Sequence, residues 1–254
     1  KRDLSVPEYQ KRLTDKMALL ELVAGSFSLS YDLLTPGRKK QWRRLSVFPE
    51  DFDRDAATAV LKMYPDASAE ALSDLVRWSL VDFIEMPNCE EGRYRLHDLA
   101  RLFAESCLDQ EELADAQYKH ANYYSKVLSK AEKSYQKGGT NVLEGLKLLD
   151  REWANIKIGQ AWAKSIISIS SKLKKSDRKS FLQLASSYAV DGGDVLDLRL
   201  HPRDKIGWLE TGLKAAKMIG NRSAESAHLS NLGLAYFELG ETRKAIGHME
   251  RALN

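Results

Sequence analysis

Cysteine is nearly absent: Cys89 and Cys107 are the two in 254 residues, and neither has a partner at metal-ligand spacing. Two thiols make no disulfide framework, so free thiols in a reducing cytoplasm are expected. Proline is scarce at 6 residues and glycine modest at 15, which argues against disorder, a collagen-like chain and a turn-dense β architecture. No run approaches the roughly eighteen apolar residues of a membrane span. The opening Lys1-Arg2-Asp3-Leu4 leads into no apolar signal stretch. The expectation is a cytoplasmic protein without membrane contact. Charge of one sign is lacking too. Lys and Arg number 39 against 36 Asp and Glu, a net +3, too near balance to imply nucleic acid. What remains is 43% hydrophobic and 30% charged, a globular composition with length for one or two domains.

Self-contained catalytic machinery is missing as well. There is no G-x-x-x-x-G-K-[ST] phosphate loop and no dinucleotide glycine fingerprint. Gly138-Gly139 and Gly192-Gly193 are isolated pairs that read as loop punctuation. The histidines are far apart, with none at the i, i+4 spacing of a helical metal site. No G-x-S-x-G elbow occurs, and neither cysteine sits in a catalytic signature. No catalytic residue and no metal ligand is therefore assigned, and the chain alone is not expected to be an enzyme.

Helical periodicity dominates what is present. Leu13, Met17, Leu20 and Val23 mark one face of a first helix, and residues 26–34 read as a second, stopped near Pro36-Gly37. A third helix turns Trp42, Leu45 and Phe48 inward. Two more follow over 54–64 and 68–80, opened by Asp53 and Ser68 as caps. One β signal interrupts: Leu80–Met86 and Arg93–His97 alternate on either side of a turn at Pro87–Gly92. Asp98 then caps a helix through Leu99, Leu102 and Phe103. Three helices, a hairpin and a helix are the order of a winged-helix domain. Residues 111–190 read as all-helical, with Tyr118, Ala121, Tyr124 and Leu128 on one face and Leu146, Leu149, Trp153, Ile156 and Trp162 on another. Loops are expected at 137–140 and at 170–180. The second loop is basic, with Lys172, Lys174, Lys175, Arg178 and Lys179, and reads as a solvated segment.

The C-terminal end repeats itself. Residues 206–213 align with 246–253 at an offset of 40, small residues matching at 207/247 and 212/252. Between the copies lies Leu229-x-x-Leu232-Gly233-x-x-Tyr236-x-x-x-Gly240, followed by Ala245, Met249 and Ala252. That pattern resembles the tetratricopeptide repeat (TPR), in which small residues let paired helices cross closely. The family's geometry implies that Ala227, Ser230, Leu234 and Phe237 line the concave side and face a protein or peptide partner, or else pack on a further repeat. The last apolar face, around Ile246, Met249 and Leu253, would be left to water. The chain therefore reads as a piece of something longer.

The remaining constellation is Tyr94-Arg95-Leu96-His97-Asp98-Leu99, at a strand-to-helix junction. An imidazole beside a helix start can donate to a phosphate oxygen, or it can be a structural histidine at a domain edge. Taken with Ser30-Tyr31-Asp32-x-Leu34, Arg44-Leu45-Ser46-Val47-Phe48-Pro49 and the repeat, this segment resembles the NB-ARC class of STAND ATPases. There a nucleotide-binding domain and a small helical domain precede a winged helix, and a repeat array follows. Leu96-His97-Asp98 is similar to the family's Met-His-Asp motif, with Leu for Met, whose histidine contacts the β-phosphate of ADP in the resting form. Residues 149–156, Leu149 to Ile156, are similar to the helical linker before such arrays.

The resemblance implies a mainly α fold in four parts. These are the tail of the small helical domain (1–24), a winged helix with one β-hairpin (25–110), a helical linker (111–190) and a truncated TPR-type α-solenoid (191–254). It implies a regulatory and sensor arm that, through His97 supported by Leu96 and Asp98, holds an ADP-bound autoinhibited state. Ligand sensing by the repeats would release that state for ATP-driven homo-oligomerisation. ADP or ATP with Mg would be bound by the parent's missing N-terminal nucleotide-binding domain, not by this chain alone. Two alternatives stand beside it. One is a TPR scaffold with a structural winged helix. The other is a DNA-binding winged-helix regulator, disfavoured because its recognition helix at 68–79 sets Glu70 and Asp74 against Arg77. The Arg38-Lys39-Lys40 and Arg43-Arg44 cluster reads as a solvated face.

Overall fold

The computed structural model describes residue 25, residues 27–86 and residues 92–253. The helix expected around Leu13–Val23, the domain tail at 1–24, Cys89 and most of the hairpin turn lie outside these residues. The chain divides into two compact units, Lys1–Ala116 and Gln117–Asn254. It is mainly helical, and the one sheet among the described residues is a two-stranded hairpin.

In the first unit α1 (residues 27–32) leads to α2 (Pro36–Arg44), which Pro36 starts at its first turn while the Thr35 hydroxyl accepts the Arg38 N–H. A 3-10 turn at Leu45–Val47 follows, then α3 (Arg54–Leu61), where Asp53 accepts the Ala56 N–H at 2.7 Å. The next helix, α4 (Pro65–Arg77), begins earlier than expected. Pro65 supplies the pre-set φ of a helix start, so Tyr64 is the cap and Ser68 is buried inside the helix. Strands β1 (Asp82–Ile84) and β2 (Arg93–Arg95) pair antiparallel, Phe83 opposite Tyr94. Phe52 adds an isolated bridge to Tyr94, with N–H···O bonds of 2.9 and 2.8 Å. Helix α5 (Asp98–Ser106) closes the order.

The core of this unit is built on Trp42, fully buried, whose indole N–H donates to the Leu80 carbonyl at 3.0 Å and ties α2 to the hairpin's entry. Tyr31 and Phe103 pack on the same ring, and Phe48 stacks on Phe52 at 4.0 Å. Two buried guanidinium groups need partners. Arg44 finds the Val60 carbonyl and the Asp115 carboxylate, and Arg93 finds Asp51.

Helix α6 (Gln110–Gln136) contains the unit boundary; α7 (Thr140–Ile169) follows across Gly138 and Gly139. Both glycines have positive φ, +73° and +60°, which other residues adopt only with strain. A 3-10 turn (Ser170–Lys172) then leads into α8 (Lys175–Ser187), so the loop expected over 170–180 shrinks to Leu173 and Lys174. Burial of Phe181, Leu182, Leu184 and Ala185 gives this helix an apolar face, and its polar first turn disguised the start. After the short α9 (Gly193–Asp197) come α10 (Pro202–Ile219), α11 (Arg222–Glu238) and α12 (Thr242–Leu253).

These last helices stack in series: α8 packs on α10, α10 on α11, and α11 on α12. Leu209, Leu213, Leu229, Leu232 and Ala235 form the core, flanked by Trp208, Tyr236 and Ala252. The repeat's small residues act where helices cross. A Cβ at position 233 would stand 2.6 Å from Met249 Cγ, and one at 212 would stand 2.3 Å from His228 Cε1. Gly207 and Gly247 do not share this role, since nothing lies within 4 Å of a Cβ at either.

Candidate functional site

His97 follows β2 by two residues. Between them, Leu96 is buried in the first unit and fixes the chain's path. His97 is extended (φ −56°, ψ 143°) and is itself the N-cap of α5. Its carbonyl accepts the Arg101 N–H at 2.8 Å and its Nδ1 accepts the Leu99 N–H at 3.4 Å. From sequence alone Asp98 is the expected cap. The structure gives it to His97 because the non-helical backbone conformation that a cap needs falls one residue earlier. Asp98 occupies the first helical position, where a carboxylate complements the helix dipole, and pairs with Arg101 at 3.8 Å.

This geometry fixes the chemistry of the ring. With Nδ1 accepting, the neutral imidazole carries its proton on Nε2, and the side chain is exposed. One N–H donor is thus presented beside a helix N-terminus, a combination that suits one phosphate oxygen. Among the described residues no cluster of His, Cys, Asp or Glu could hold a metal ion.

The same device recurs in the second unit, which the sequence reading did not single out. His201 caps α10, with Nδ1 accepting the Arg203 N–H at 3.2 Å ahead of Pro202. The signal was a histidine directly before a proline at a helix start.

Ala227, Ser230, Leu234 and Phe237 are all exposed along one side of α11, while Leu229, Leu232, Gly233 and Ala235 are buried on the other. Leu234 is 51% and Phe237 63% exposed, enough to take apolar side chains from outside. Ala227 also borders a cleft of about 180 Å³ whose lining includes Gln183, Ser186, Ile219 and His228. His228 was missed from sequence. It is buried, its Nε2 lies 3.3 Å from the Ser186 hydroxyl, and burial pushes its pKa down. On α12, Ile246 and Leu253 are exposed as expected.

Arg38 pairs with Asp74 at 2.7 Å and with Glu70 at 3.3 Å, so the acidic groups of α4 serve the contact with α2. No helix among the described residues is long and apolar enough to cross a membrane.

No family model matches the chain. Over 104 residues it is 36% identical to the regulatory protein AfsR of Streptomyces coelicolor, and over 105 residues 33% identical to AfsR of Streptomyces griseus. Each match covers 41% of this chain and 10% of the relative, so the chain spans about a tenth of the length of the curated relatives it matches. A solved STAND protein with a tetratricopeptide repeat sensor, from Pyrococcus horikoshii, is 16% identical over 88% of this chain and 44% of that one. Its TM-score of 0.30 is too loose a superposition to transfer any residue. Over two-fifths of its length, the chain is similar to a segment of proteins described as regulatory.

Proposed function

We propose that this chain is the switch and sensor arm of a STAND-type signal-transduction ATPase of the NB-ARC class. The observation that carries the reading is the exposed Nε2–H of His97, oriented by a cap bond at the start of α5. In the resting state this N–H donates to the β-phosphate of ADP held with Mg by an N-terminal nucleotide-binding domain. Leu96 anchors the strand end and Asp98 completes the first turn. A protein or peptide partner is received along Ala227, Ser230, Leu234 and Phe237. Its binding draws the first unit away from the nucleotide and permits exchange for ATP and homo-oligomer assembly.

Magnitudes limit the part played by one residue. A hydrogen bond to a charged group contributes about 1.5–3 kcal/mol, whereas moving a population from 1:99 to 99:1 takes about 5.5 kcal/mol. His97 therefore biases the switch, and surface buried against the nucleotide-binding domain supplies the rest.

The test is the nucleotide carried by the intact polypeptide after purification, wild type beside His97→Asn. Asparagine keeps the cap through Oδ1, and its shorter amide does not reach the position of the imidazole Nε2–H. Loss of ADP from the variant supports the switch; equal retention, or none in either protein, sinks it. A second reading, a protein-binding scaffold in which His97 only caps a helix, draws on His201, which makes the same bond in the second unit. It predicts no change in nucleotide for His97→Asn.

A further inference from the structure

Two clusters of cations of similar density occur in the chain. The first, Arg38 to Arg44, has five cations in seven residues, and each is matched by a carboxylate of its own unit. Arg38 meets Asp74 and Glu70, Lys39 meets Asp32 at 3.5 Å, Lys40 and Arg43 meet Glu112 at 3.7 and 2.7 Å, and Arg44 meets Asp115.

The second, Lys172, Lys174, Lys175, Arg178 and Lys179, has five in eight residues, all exposed. Lys172, Lys175, Arg178 and Lys179 make no ion pair among the described residues. Because α8 begins at Lys175 and not after a loop, Lys175, Arg178 and Lys179 share one helix face at i, i+3 and i+4. Lys174 is the N-cap residue of that helix, so the positive end of the helix dipole lies beside the cluster. The surrounding sequence is basic as well. Residues 153–190 hold seven cations and one carboxylate, Asp177, a net +6, so the rest of the chain is net −3. Asp177 is engaged locally, accepting from the Ser176 hydroxyl at 2.9 Å.

We propose that this surface, at the turn between α7 and α8, docks a carboxylate-rich segment of a partner protein. The chain itself neutralises its other cluster with carboxylates, and here the partner provides them. Three features favour a protein segment over nucleic acid. Trp162 and Phe181, the aromatics nearest the cluster in sequence, are buried and offer no face for bases to stack on. Four of the five cations are lysines, so the forked guanidinium array that reads base edges is missing. Ile169, 42% exposed at the end of α7, gives an apolar foothold that a phosphate backbone has no use for. The proposal is independent of the nucleotide switch.

The probe is a fluorescein-labelled twelve-residue peptide of glutamates with two leucines, titrated into the 254-residue chain at low salt. The comparators are its Glu→Gln counterpart and a duplex DNA of equal charge. Lys175→Glu/Arg178→Glu/Lys179→Glu is set against a control reversal at the exposed Lys126, Lys130 and Lys214, both checked by circular dichroism melts. The patch reversal should weaken peptide binding about tenfold or more, with steep salt dependence, and the control less than about twofold. The duplex should bind more weakly than the peptide. Equal loss in the two reversals, no preference over the glutamine peptide, or tighter binding of the duplex overturns the proposal.

Discussion

The imidazole of His228 on α11 lies directly on Gly212 of α10, where any Cβ would approach Cε1 to 2.3 Å. Ser186 of α8 ties the ring to this place, its hydroxyl 3.3 Å from Nε2. Three successive helices of the stack meet at this point. Gly212→Ala should therefore destabilise the second unit by about 1–3 kcal/mol through overpacking. Gly207→Ala, in the same helix but with nothing near its Cβ, should stabilise it by about 0.5–1 kcal/mol. Urea unfolding followed by circular dichroism reads both, and equal effects of the two substitutions would contradict the packing described.

Acid should loosen the second unit through His120. This ring is buried against Asn155, and burial lowers its pKa from 6.5 to about 4. Between those values the unfolded chain binds a proton that the folded chain refuses, so stability is full above pH 6.5 and is lost as the pH falls toward 4. The whole effect is on the order of 3 kcal/mol. His228 acts in the same sense, while Asp191, whose pKa burial raises, acts in the opposite one. The contribution of His120 is isolated by comparing wild type with His120→Gln from pH 7.5 to 4.5. The stability gap should shrink as the pH falls; a constant gap would rule out the titration.

Leu234→Ser with Phe237→Ser should leave stability within about 0.5 kcal/mol, since both side chains face solvent. On the proposed function the same pair of changes abolishes partner capture. A large drop in melting temperature would instead mean that these side chains support the fold.

What was legible in the sequence followed local rules. The order of helices around a single hairpin came from periodicity, and the crossing of α11 with α12 from Leu232, Gly233, Tyr236 and Met249. What escaped depended on partners distant in sequence or on one residue of phase. Pro65 moved a helix start ahead of Ser68, and the extended backbone at His97 took the cap from Asp98. The two cationic clusters look alike as strings. Only the tertiary placement of Asp74, Glu112 and Asp115 separates the neutralised one from the open one. His228 was invisible for the same reason, since its site is made by Ser186 and Gly212.

His201 supplies a calibration for the cap itself. His201→Ala should cost the second unit about 0.5–2 kcal/mol and His201→Asn almost nothing. If asparagine fails to restore stability at 201, it cannot serve as the cap-retaining variant at 97.

The most direct test of the central claim is the ADP dissociation constant of the intact polypeptide, compared between wild type and His97→Asn. Loss of one hydrogen bond to a charged phosphate should weaken ADP by about 10- to 150-fold while the melting temperature of the nucleotide-free protein stays unchanged. An unchanged dissociation constant would leave His97 a helix cap and nothing more.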